Sequence, residues 1–343
     1  MTQTEISSGA IFEAIREPFE AALNLHILRS QRETISLDPY AMVPLETYAE
    51  LAVGYEEHVE RWLELGVDIR PIVKSVLLVD TATEANLPWY TAHIEKGFEL
   101  WHEWNARWTA EERSHEEIML RDIEARGIFN MSTEWLPVRE QNMAAGIHPE
   151  VTTPADGIAY VATQELLTKI AHFHSSRIMD EKGARNLRAV GSDEGRHYKF
   201  YVDMLKALGE AYPDLALLGM RRQHEGDAFA MPGQKGIQGY NIHAKNIALS
   251  GIFDSITVLE AQKQTIDDAG LLRLKPVTAD GMRAQEWASG LSEKTDLIWD
   301  RKSRLMDKIR ERSANRANRT GPRPFILGHT VELINNLFVP IAI

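Results

Sequence analysis

The residues of this sequence that are best suited to do chemistry are glutamates and histidines at recurring spacings. Glutamate precedes histidine by three positions at Glu99–His102, Glu112–His115 and Glu194–His197. On a helix, residues three apart share a face, so each pair can direct a carboxylate and an imidazole at one ion. Glu84 precedes Glu112, and Glu165 precedes Glu194, by nearly the same separation, which is that of one helix and one connection. The chain therefore contains twice the pattern of a glutamate followed by Glu-x-x-His.

This donor set is the one that a two-metal site in a four-helix bundle requires, with one glutamate from each of two helices and Glu-x-x-His from each of the other two. The absence of cysteine excludes thiolate zinc sites and iron–sulfur clusters. Oxygen and imidazole donors suit non-haem iron or manganese. The predicted metal ligands are Glu84, Glu112, His115, Glu165, Glu194 and His197. The acids that immediately precede two of them, Glu111 and Asp193, are predicted to hydrogen-bond the ligand imidazoles.

One structural alternative stands beside this hypothesis, and the third Glu-x-x-His pair has a separate interpretation. The six residues could be exposed or ion-paired helix residues that bind no metal. Glu84 and Glu165 lie among apolar residues, however, where an unpaired charge is costly. The third pair, Glu99–His102, has no glutamate at the corresponding position before it, and its neighbours Trp101 and Trp104 indicate an amphipathic helix face. We expect this pair to be structural.

Helical periodicity runs through the chain, so the predicted fold class is all-α. The predicted helices cover approximately residues 13–28, 44–65, 71–84, 95–126, 132–145, 154–180, 184–208, 242–269 and 282–312. Because no stretch rich in proline, glycine or serine divides the chain, residues 1–343 are interpreted as one domain. Its four-helix core covers about residues 69–210, and peripheral helices with a basic tail cover about residues 211–343.

Composition excludes several classes of protein. The formal net charge of −12 disfavours nucleic-acid binding, because phosphate backbones are repelled by an acidic surface. No stretch is long and apolar enough for a membrane span. The segment from Met1 to Glu20 contains four glutamates and one arginine, unlike a secretory signal, so a cytoplasmic location is expected.

Four segments resemble the motifs of one known family, the soluble acyl-acyl-carrier-protein desaturases. They are Arg107-Trp-Thr-Ala-Glu-Glu-Arg-Ser-His115, Ser192-Asp-Glu-Gly-Arg-His197, Glu84-Ala-Asn-Leu-Pro88 and Gln164-Glu-Leu-Leu-Thr168. The four occur in the family's order and at nearly its spacing, and weaker similarity continues from Met231-Pro232 to about Arg304. Together they are specific, although each alone is not.

The resemblance implies a ferritin-like four-helix bundle with additional peripheral helices, holding two iron ions per chain. It makes the six predicted ligands iron ligands, with Glu112 and Glu194 as bridges between the ions. It places Thr168 beside the oxygen-binding side of the cluster, although a threonine that bonds back to a carbonyl one turn earlier is the structural alternative. It places Trp108 and Asp193 in outer positions that relay electrons or support a histidine, and a plain core tryptophan is the alternative for Trp108.

The sequence departs from the plant members of this family in four places. Residues 29–39 contain no tryptophan, whereas plant enzymes carry one in the N-terminal loop. The first Glu-x-x-His reads Glu-Arg-Ser-His where plant enzymes have Glu-Asn-Arg-His. The connection between Glu165 and Glu194 is shorter, and the tail from Ser313 matches poorly. These differences leave the ligand set intact but affect the predicted electron route and substrate.

The activity implied by the resemblance is O2-dependent desaturation of an acyl chain on acyl carrier protein, with electrons from ferredoxin, by a homodimer. A di-iron oxygenase that hydroxylates or N-oxygenates a carrier-bound or free metabolite is one alternative. A ferritin-like protein that oxidises iron or has no catalytic activity is another. An apolar tunnel beside the cluster should hold the acyl chain, and Phe173, Met179 and Met204 are either candidates for its lining or ordinary core residues.

A basic segment offers a docking surface for the implied partners, which are acidic. Residues 300–323 contain nine basic and three acidic side chains, so this segment carries +6 and the rest of the chain −18. Arg301, Arg304 and Arg312 are therefore candidate carrier-docking residues. A solvated basic helix and tail is the alternative interpretation.

Overall fold

In a computed structural model, the described residues are 6–32, 37–86, 99–145, 151, 153–226, 234, 236–301 and 304. These residues form helices and connections without a strand among them, which confirms the predicted all-α class. The main helices are α1 (Ser8–Arg32), α2 (Pro39–Met42), α3 (Tyr48–Glu64), α4 (Arg70–Glu84), α5 (Glu99–Arg126), α6 (Leu136–Ala145), α7 (Pro154–Ser175), α8 (Glu181–Ala211), α9 (Pro213–His224), α10 (Tyr240–Ser250), α11 (Ser255–Asp268) and α12 (Ala279–Ser289). None of the helices in these ranges has the length and apolarity that crossing a bilayer requires.

Helix α7 lies at the centre of the fold and is buried on almost every side. Its start is specified locally, because Thr153 accepts a hydrogen bond from the backbone N–H of Asp156, and Asp156 accepts one from the backbone N–H of Thr153. Pro154 occupies the first turn, where a helix has no use for the missing N–H. The apolar residues that follow bury the helix, and its few polar side chains are consequently held inside the protein.

Four helices, α4, α5, α7 and α8, surround the centre of the bundle. Helix α4 packs against α5 and α7, and α8 packs against α5 and α7, so the four form a closed ring of neighbours. Helix α1 packs on α8, where the rings of Phe19 and Phe200 meet edge to face at 5.0 Å. Helix α10 lies on α4, and α11 lies on α7. Each of the four bundle helices carries predicted metal ligands.

The second half of the chain differs from the helices predicted for it. The predicted helix over 242–269 is interrupted, because Gly251 adopts a left-handed φ of 76° that ends α10. Asp254 then begins α11 by accepting hydrogen bonds from the backbone N–H groups of Ile256 and Thr257. The predicted helix over 282–312 is also interrupted, at Gly290, and residues 291–301 form a separate helix. Apolar periodicity continued across both breaks, so it did not reveal them.

One buried histidine of the peripheral helices gives a prediction about pH and stability. Burial lowers the pKa of His224 to about 4, and its Nε2–H donates to the carbonyl of Ala159 at 3.2 Å. Protonation therefore favours the unfolded chain, whose histidine has a pKa near 6.5. The resulting stabilisation, about 3 kcal/mol, is complete above pH 6.5 and is lost as the pH falls to 4.

Urea unfolding of the metal-free wild type and of a His224→Gln variant, at pH 7 and pH 4, measures this contribution. The glutamine keeps a donor for Ala159 and cannot titrate. We expect the free energy of unfolding of the wild type to fall about 3 kcal/mol further between the two pH values than that of the variant. Parallel losses in the two proteins would contradict the assignment.

Candidate metal centre

The bundle brings all six predicted ligands together at its centre. Glu84 comes from α4, Glu112 and His115 from α5, Glu165 from α7, and Glu194 and His197 from α8. They form two groups in which the candidate ligand atoms all lie within 4.8 Å of one another. One group consists of Glu84, Glu112, His115 and Glu194, and the other consists of Glu112, Glu165, Glu194 and His197. Glu112 and Glu194 belong to both groups, as two carboxylates between neighbouring ions must.

The first group is arranged around the Nδ1 atom of His115. This atom lies 2.8 Å from Glu194 Oε1, 3.4 Å from Glu112 Oε2 and 3.8 Å from Glu84 Oε2. The opposite ring nitrogen, Nε2, lies 3.2 Å from Asp193 Oδ2, and Arg196 contacts the same carboxylate. Asp193 thus orients the ring so that Nδ1 faces the three glutamates.

The second group repeats this arrangement around His197. Its Nδ1 lies 2.8 Å from Glu112 Oε1, 3.3 Å from Glu165 Oε2 and 3.6 Å from Glu194 Oε2. Its Nε2 lies 2.8 Å from Glu111 Oε2. Each of the two acids placed in an outer position by the sequence analysis therefore contacts the histidine that belongs to the other Glu-x-x-His pair.

The cluster is suited to bind metal ions because its side chains are buried and several of their polar atoms lack hydrogen-bond partners among the described residues. All six side chains are at most 5 % exposed. Considering the described part of the chain, five of them carry atoms without an aligned hydrogen-bond partner, namely Glu112 Oε1, His115 Nδ1, both oxygens of Glu165, Glu194 Oε1 and His197 Nδ1. Buried carboxylates that lack such partners are costly, and two divalent cations would balance the four negative charges. Oxygen and imidazole donors at these positions are the ligands that iron prefers in such bundles.

Burial and the close packing of charged side chains shift the pKa values of the glutamates in this cluster. Burial, followed by the nearby charges of Glu194 and Glu112, raises the pKa of Glu84 to about 7. The same causes raise the pKa of Glu165 well above its usual value. Burial also acts to raise the pKa of Glu194, but its contacts with His115 and His197 outweigh this and hold its pKa well below the usual range. Glu194, which both groups share, therefore ionises more readily than Glu84 and Glu165, which belong to one group each.

Thr168 makes both of the contacts that were considered for it. Its hydroxyl oxygen lies 3.2 Å from Glu194 Oε2, 3.2 Å from the carbonyl of Gln164 and 3.1 Å from the carbonyl of Glu165. A threonine has one hydroxyl hydrogen, so it donates to one of these acceptors at a time. The side chain is buried beside the cluster and can turn between its own helix and the shared carboxylate.

The other residues singled out in the sequence lie at several different positions. Trp108 is fully buried on α5, 5.5 Å from the ring of Tyr201, and its Nε1–H has no aligned partner within the described ranges. The Glu99–His102 pair lies on the exposed side of α5, where Glu99 pairs with Arg16, in agreement with a structural role. Arg301 and Arg304 are exposed on the helix that begins at residue 291. Arg312, Leu87-Pro88 and Met231-Pro232 lie outside the described residues.

Two histidines of this centre were missed by the sequence analysis. His172 Nε2 lies 2.9 Å from Glu84 Oε1, and His26 Nε2 lies 3.2 Å from Glu111 Oε1. A signal for His172 was available, because it follows Thr168 by four residues and so lies on the same face of α7. His26 had no such signal, since it comes from α1 and meets Glu111 only in the folded protein.

A cavity of about 570 Å³ opens beside the cluster, between α4 and α7 and beneath α10 and α11. Its walls are mainly apolar, with side chains that include Val76, Val79, Leu167, Ile247 and Phe253. Glu84 and Thr168 also line it, so the cavity reaches the metal centre directly. The described residues that line this cavity do not include the three predicted candidates for a tunnel lining, Phe173, Met179 and Met204.

The sequence of this chain is similar to those of several known proteins. The Fatty acid desaturase family model matches residues 18–319. The stearoyl-[acyl-carrier-protein] 9-desaturase of Gossypium hirsutum is 25% identical over 268 residues, covering 72% of this chain and 67% of the relative. The palmitoyl-[acyl-carrier-protein] 4-desaturase of Coriandrum sativum is 24% identical over 263 residues, covering 70% and 67%. The stearoyl-[acyl-carrier-protein] 9-desaturase of Solanum commersonii is 25% identical over 305 residues, covering 82% and 74%.

These matches confirm the resemblance inferred from the four motifs. The family model covers most of the chain, including all four ligand-bearing helices. The protein belongs to the fatty acid desaturase family.

Proposed function

We propose that this protein is an O2-dependent di-iron desaturase that introduces a double bond into an acyl chain carried on acyl carrier protein, with electrons from ferredoxin. The observation that carries the proposal is the apolar cavity that meets the buried Glu/His cluster at Glu84 and Thr168. An acyl chain is the ligand that such walls suit, because its burial there removes apolar surface from water. The names of the relatives, which act on stearoyl and palmitoyl groups of acyl carrier protein, support the same substrate class.

The reaction requires a metal–oxygen centre because no side chain can remove hydrogen from an unactivated methylene group by acid–base chemistry at neutral pH. When bound, the two iron ions supply the activation of O2 and the oxidising power. Two hydrogens from adjacent carbons, two electrons from the reductant and two protons from solvent together reduce O2 to two water molecules. Atoms and electrons balance only if an external donor is present, which is why a ferredoxin is part of the proposal.

The residues of the chain hold, orient and protect this chemistry. Glu84, Glu112, His115, Glu165, Glu194 and His197 would hold the two ions, while Asp193 and Glu111 fix the two histidine rings. The apolar cavity walls would align the chain so that one pair of carbons lies beside the cluster and water is excluded. Thr168 lines the cavity and can donate a hydrogen bond to Glu194, so its hydroxyl proton would lie beside the cluster.

Product mass distinguishes the proposed activity from its alternatives. The iron-loaded protein is incubated with O2, reduced ferredoxin and acyl carrier proteins that bear saturated chains of different lengths. We expect one chain length to be favoured and to lose about two mass units, the mass of two hydrogens. A gain of about sixteen units would instead assign an oxygenase, and turnover of iron without an organic product would assign an iron-oxidising protein. Omission of ferredoxin is the control for the electron requirement.

The basic segment gives a separate prediction about the carrier. We expect simultaneous Arg301→Glu, Arg304→Glu and Arg312→Glu substitutions to raise the Michaelis constant for the acyl carrier substrate by about tenfold or more, because an acidic partner loses complementary charge. The turnover number should change little, since Arg301 and Arg304 are neither candidate ligands nor residues that line the cavity. An unchanged Michaelis constant at low ionic strength would reject carrier docking at this segment.

A further inference from the structure

His172 is a buried histidine of the metal centre to which neither the motifs nor the ligand set gives a role. It lies one helical turn beyond Thr168 on α7 and is 1 % exposed. Its Nε2 is 2.9 Å from Glu84 Oε1. When Glu84 holds a metal ion, its carboxylate would be ionised and could only accept, so the ring would donate this hydrogen bond through Nε2–H. His172 also lines the cavity, so it stands between the proposed substrate space and a proposed ligand.

The hydrogen bond makes Glu84 and Glu165 unequal, although each of these two carboxylates belongs to one ligand group only. Glu84 has one oxygen occupied by His172, and its other oxygen, Oε2, faces His115 at 3.8 Å. Glu165 occupies the equivalent position in the second half of the repeat. Neither of its oxygens has an aligned hydrogen-bond partner among the described residues. The sequence repeats Glu84 and Glu165 as equivalents, yet their surroundings leave one oxygen available on the first and two on the second.

The packing around His172 holds the ring in this position. Gly191 on α8 lies against it, and a Cβ added at Gly191 would be 3.3 Å from the Cβ of His172 and 3.1 Å from the ring of Phe173. The absence of a side chain at Gly191 therefore leaves the space that this part of α7 needs. On the far side, Asp80 lies one turn before Glu84 and accepts a hydrogen bond from Ser175 at 3.1 Å. His172 Nδ1 is 3.9 Å from Asp80 Oδ2, too far for a hydrogen bond, so Glu84 is the close polar partner of the ring.

We propose that His172 is a positioning residue that holds Glu84 by one oxygen, so that Glu84 offers only the other oxygen to the ion it shares with His115. The inference rests on the proposed di-iron function. A carboxylate held in this way takes up one coordination position where a free carboxylate can take up two. An ion next to Glu84 would then receive one oxygen from this carboxylate, whereas an ion next to Glu165 could receive two.

Three variants of His172 test this role by metal binding, independently of turnover. Glutamine at position 172 places an amide nitrogen near the position of the histidine Nε2, whereas asparagine is too short to reach Glu84 and methionine has no donor. We expect His172→Gln to bind both ferrous ions with close to wild-type affinity. We expect His172→Asn and His172→Met to bind one of the two ions roughly 10- to 100-fold more weakly and the other unchanged, the range typical for loss of a group that holds a ligand.

The measurement is anaerobic titration of the metal-free proteins with Fe2+ in competition with a coloured chelator, which resolves the two affinities. Mössbauer spectra of 57Fe-loaded wild type and His172→Gln should show two unequal ferrous sites. In the spectra of His172→Met, the signal of one of these two ferrous sites should be lost or changed. A matched control is His224→Met, which removes another buried histidine that bonds the backbone carbonyl of Ala159 and no candidate ligand; its two iron affinities should be unchanged.

The outcomes separate this inference from the proposed function. If the wild type failed to bind two iron ions, the proposed function itself would fall. If the wild type bound two ions and His172→Asn and His172→Gln bound them equally, the positioning role would be overturned and the di-iron function would stand. If His172→Met failed to fold, the comparison of His172→Gln with His172→Asn would still test the positioning role. Both substituted side chains are amides, and they differ only in length.

Discussion

Replacing Glu194 with alanine is expected to abolish the binding of both metal ions. Glu194 belongs to both groups of candidate ligands, and its two oxygens lie 2.8 Å from His115 Nδ1 and 3.6 Å from His197 Nδ1. Its loss removes one donor from each ion and leaves two imidazoles in the cluster with fewer negative charges, so cations are bound less well at both positions. Glu112→Ala should have the same effect for the same reason, since Glu112 also belongs to both groups.

Glu165 provides a graded comparison, because it belongs to one group only. We expect Glu165→Ala to retain one ion per chain where Glu194→Ala retains none. Iron is counted after anaerobic reconstitution with Fe2+ and gel filtration, and circular dichroism checks that the helices persist. The matched control is Glu99→Ala, which disrupts the third Glu-x-x-His sequence at an exposed position. Two ions bound by Glu194→Ala would show that the assigned ligands are wrong.

Filling the cavity is expected to abolish turnover and leave the metal centre intact. Ala171 lines the cavity on α7, between Thr168 and His172 along the chain. An Ala171→Phe substitution places a ring in the space where we propose that the acyl chain lies. A displacement of the reacting carbons by about 1 Å is enough to reduce the rate roughly 100-fold, so we expect at least that loss for long chains. Shorter chains, which need less of the cavity, should lose less.

Iron content separates this effect from damage to the cluster. Ala171→Phe should still bind two iron ions, because Ala171 is not one of the candidate ligands. Ala248→Phe is the control within the same cavity, since Ala248 lies on α10 at an exposed position. It should reduce turnover less than Ala171→Phe does. Full activity of Ala171→Phe on every chain length would place the substrate elsewhere.

The ligand set could be predicted from the sequence because a helix converts spacing into direction. Glu112 and His115 share a face at a separation of three residues whatever the tertiary structure, and the same holds for Glu194 and His197. The repeat of a glutamate before each pair added the other two helices of the bundle. The structure places all six side chains in one buried cluster. The interpretation of residues 1–343 as one domain remains a prediction.

The helix boundaries of the second half show where pattern analysis reaches its limit. Apolar residues continue at helical spacing through 242–269, but Gly251 in a left-handed conformation and the capping Asp254 divide the segment into α10 and α11. Glycine and aspartate also occur inside helices, so their presence alone did not indicate a break. The division has a consequence for function, because α10 and α11 together cover the cavity.

The sequence by itself determined the all-α class, the six candidate ligands and the two acids beside them, because these follow from residue spacing along one helix or from residue chemistry. Only the tertiary structure decided which acid meets which histidine, that His26 and His172 join the centre, and where the cavity lies. These features depend on the relative positions of separate helices. Helical periodicity specifies which face of each helix is buried, but it does not specify which residue on the neighbouring helix that face will meet.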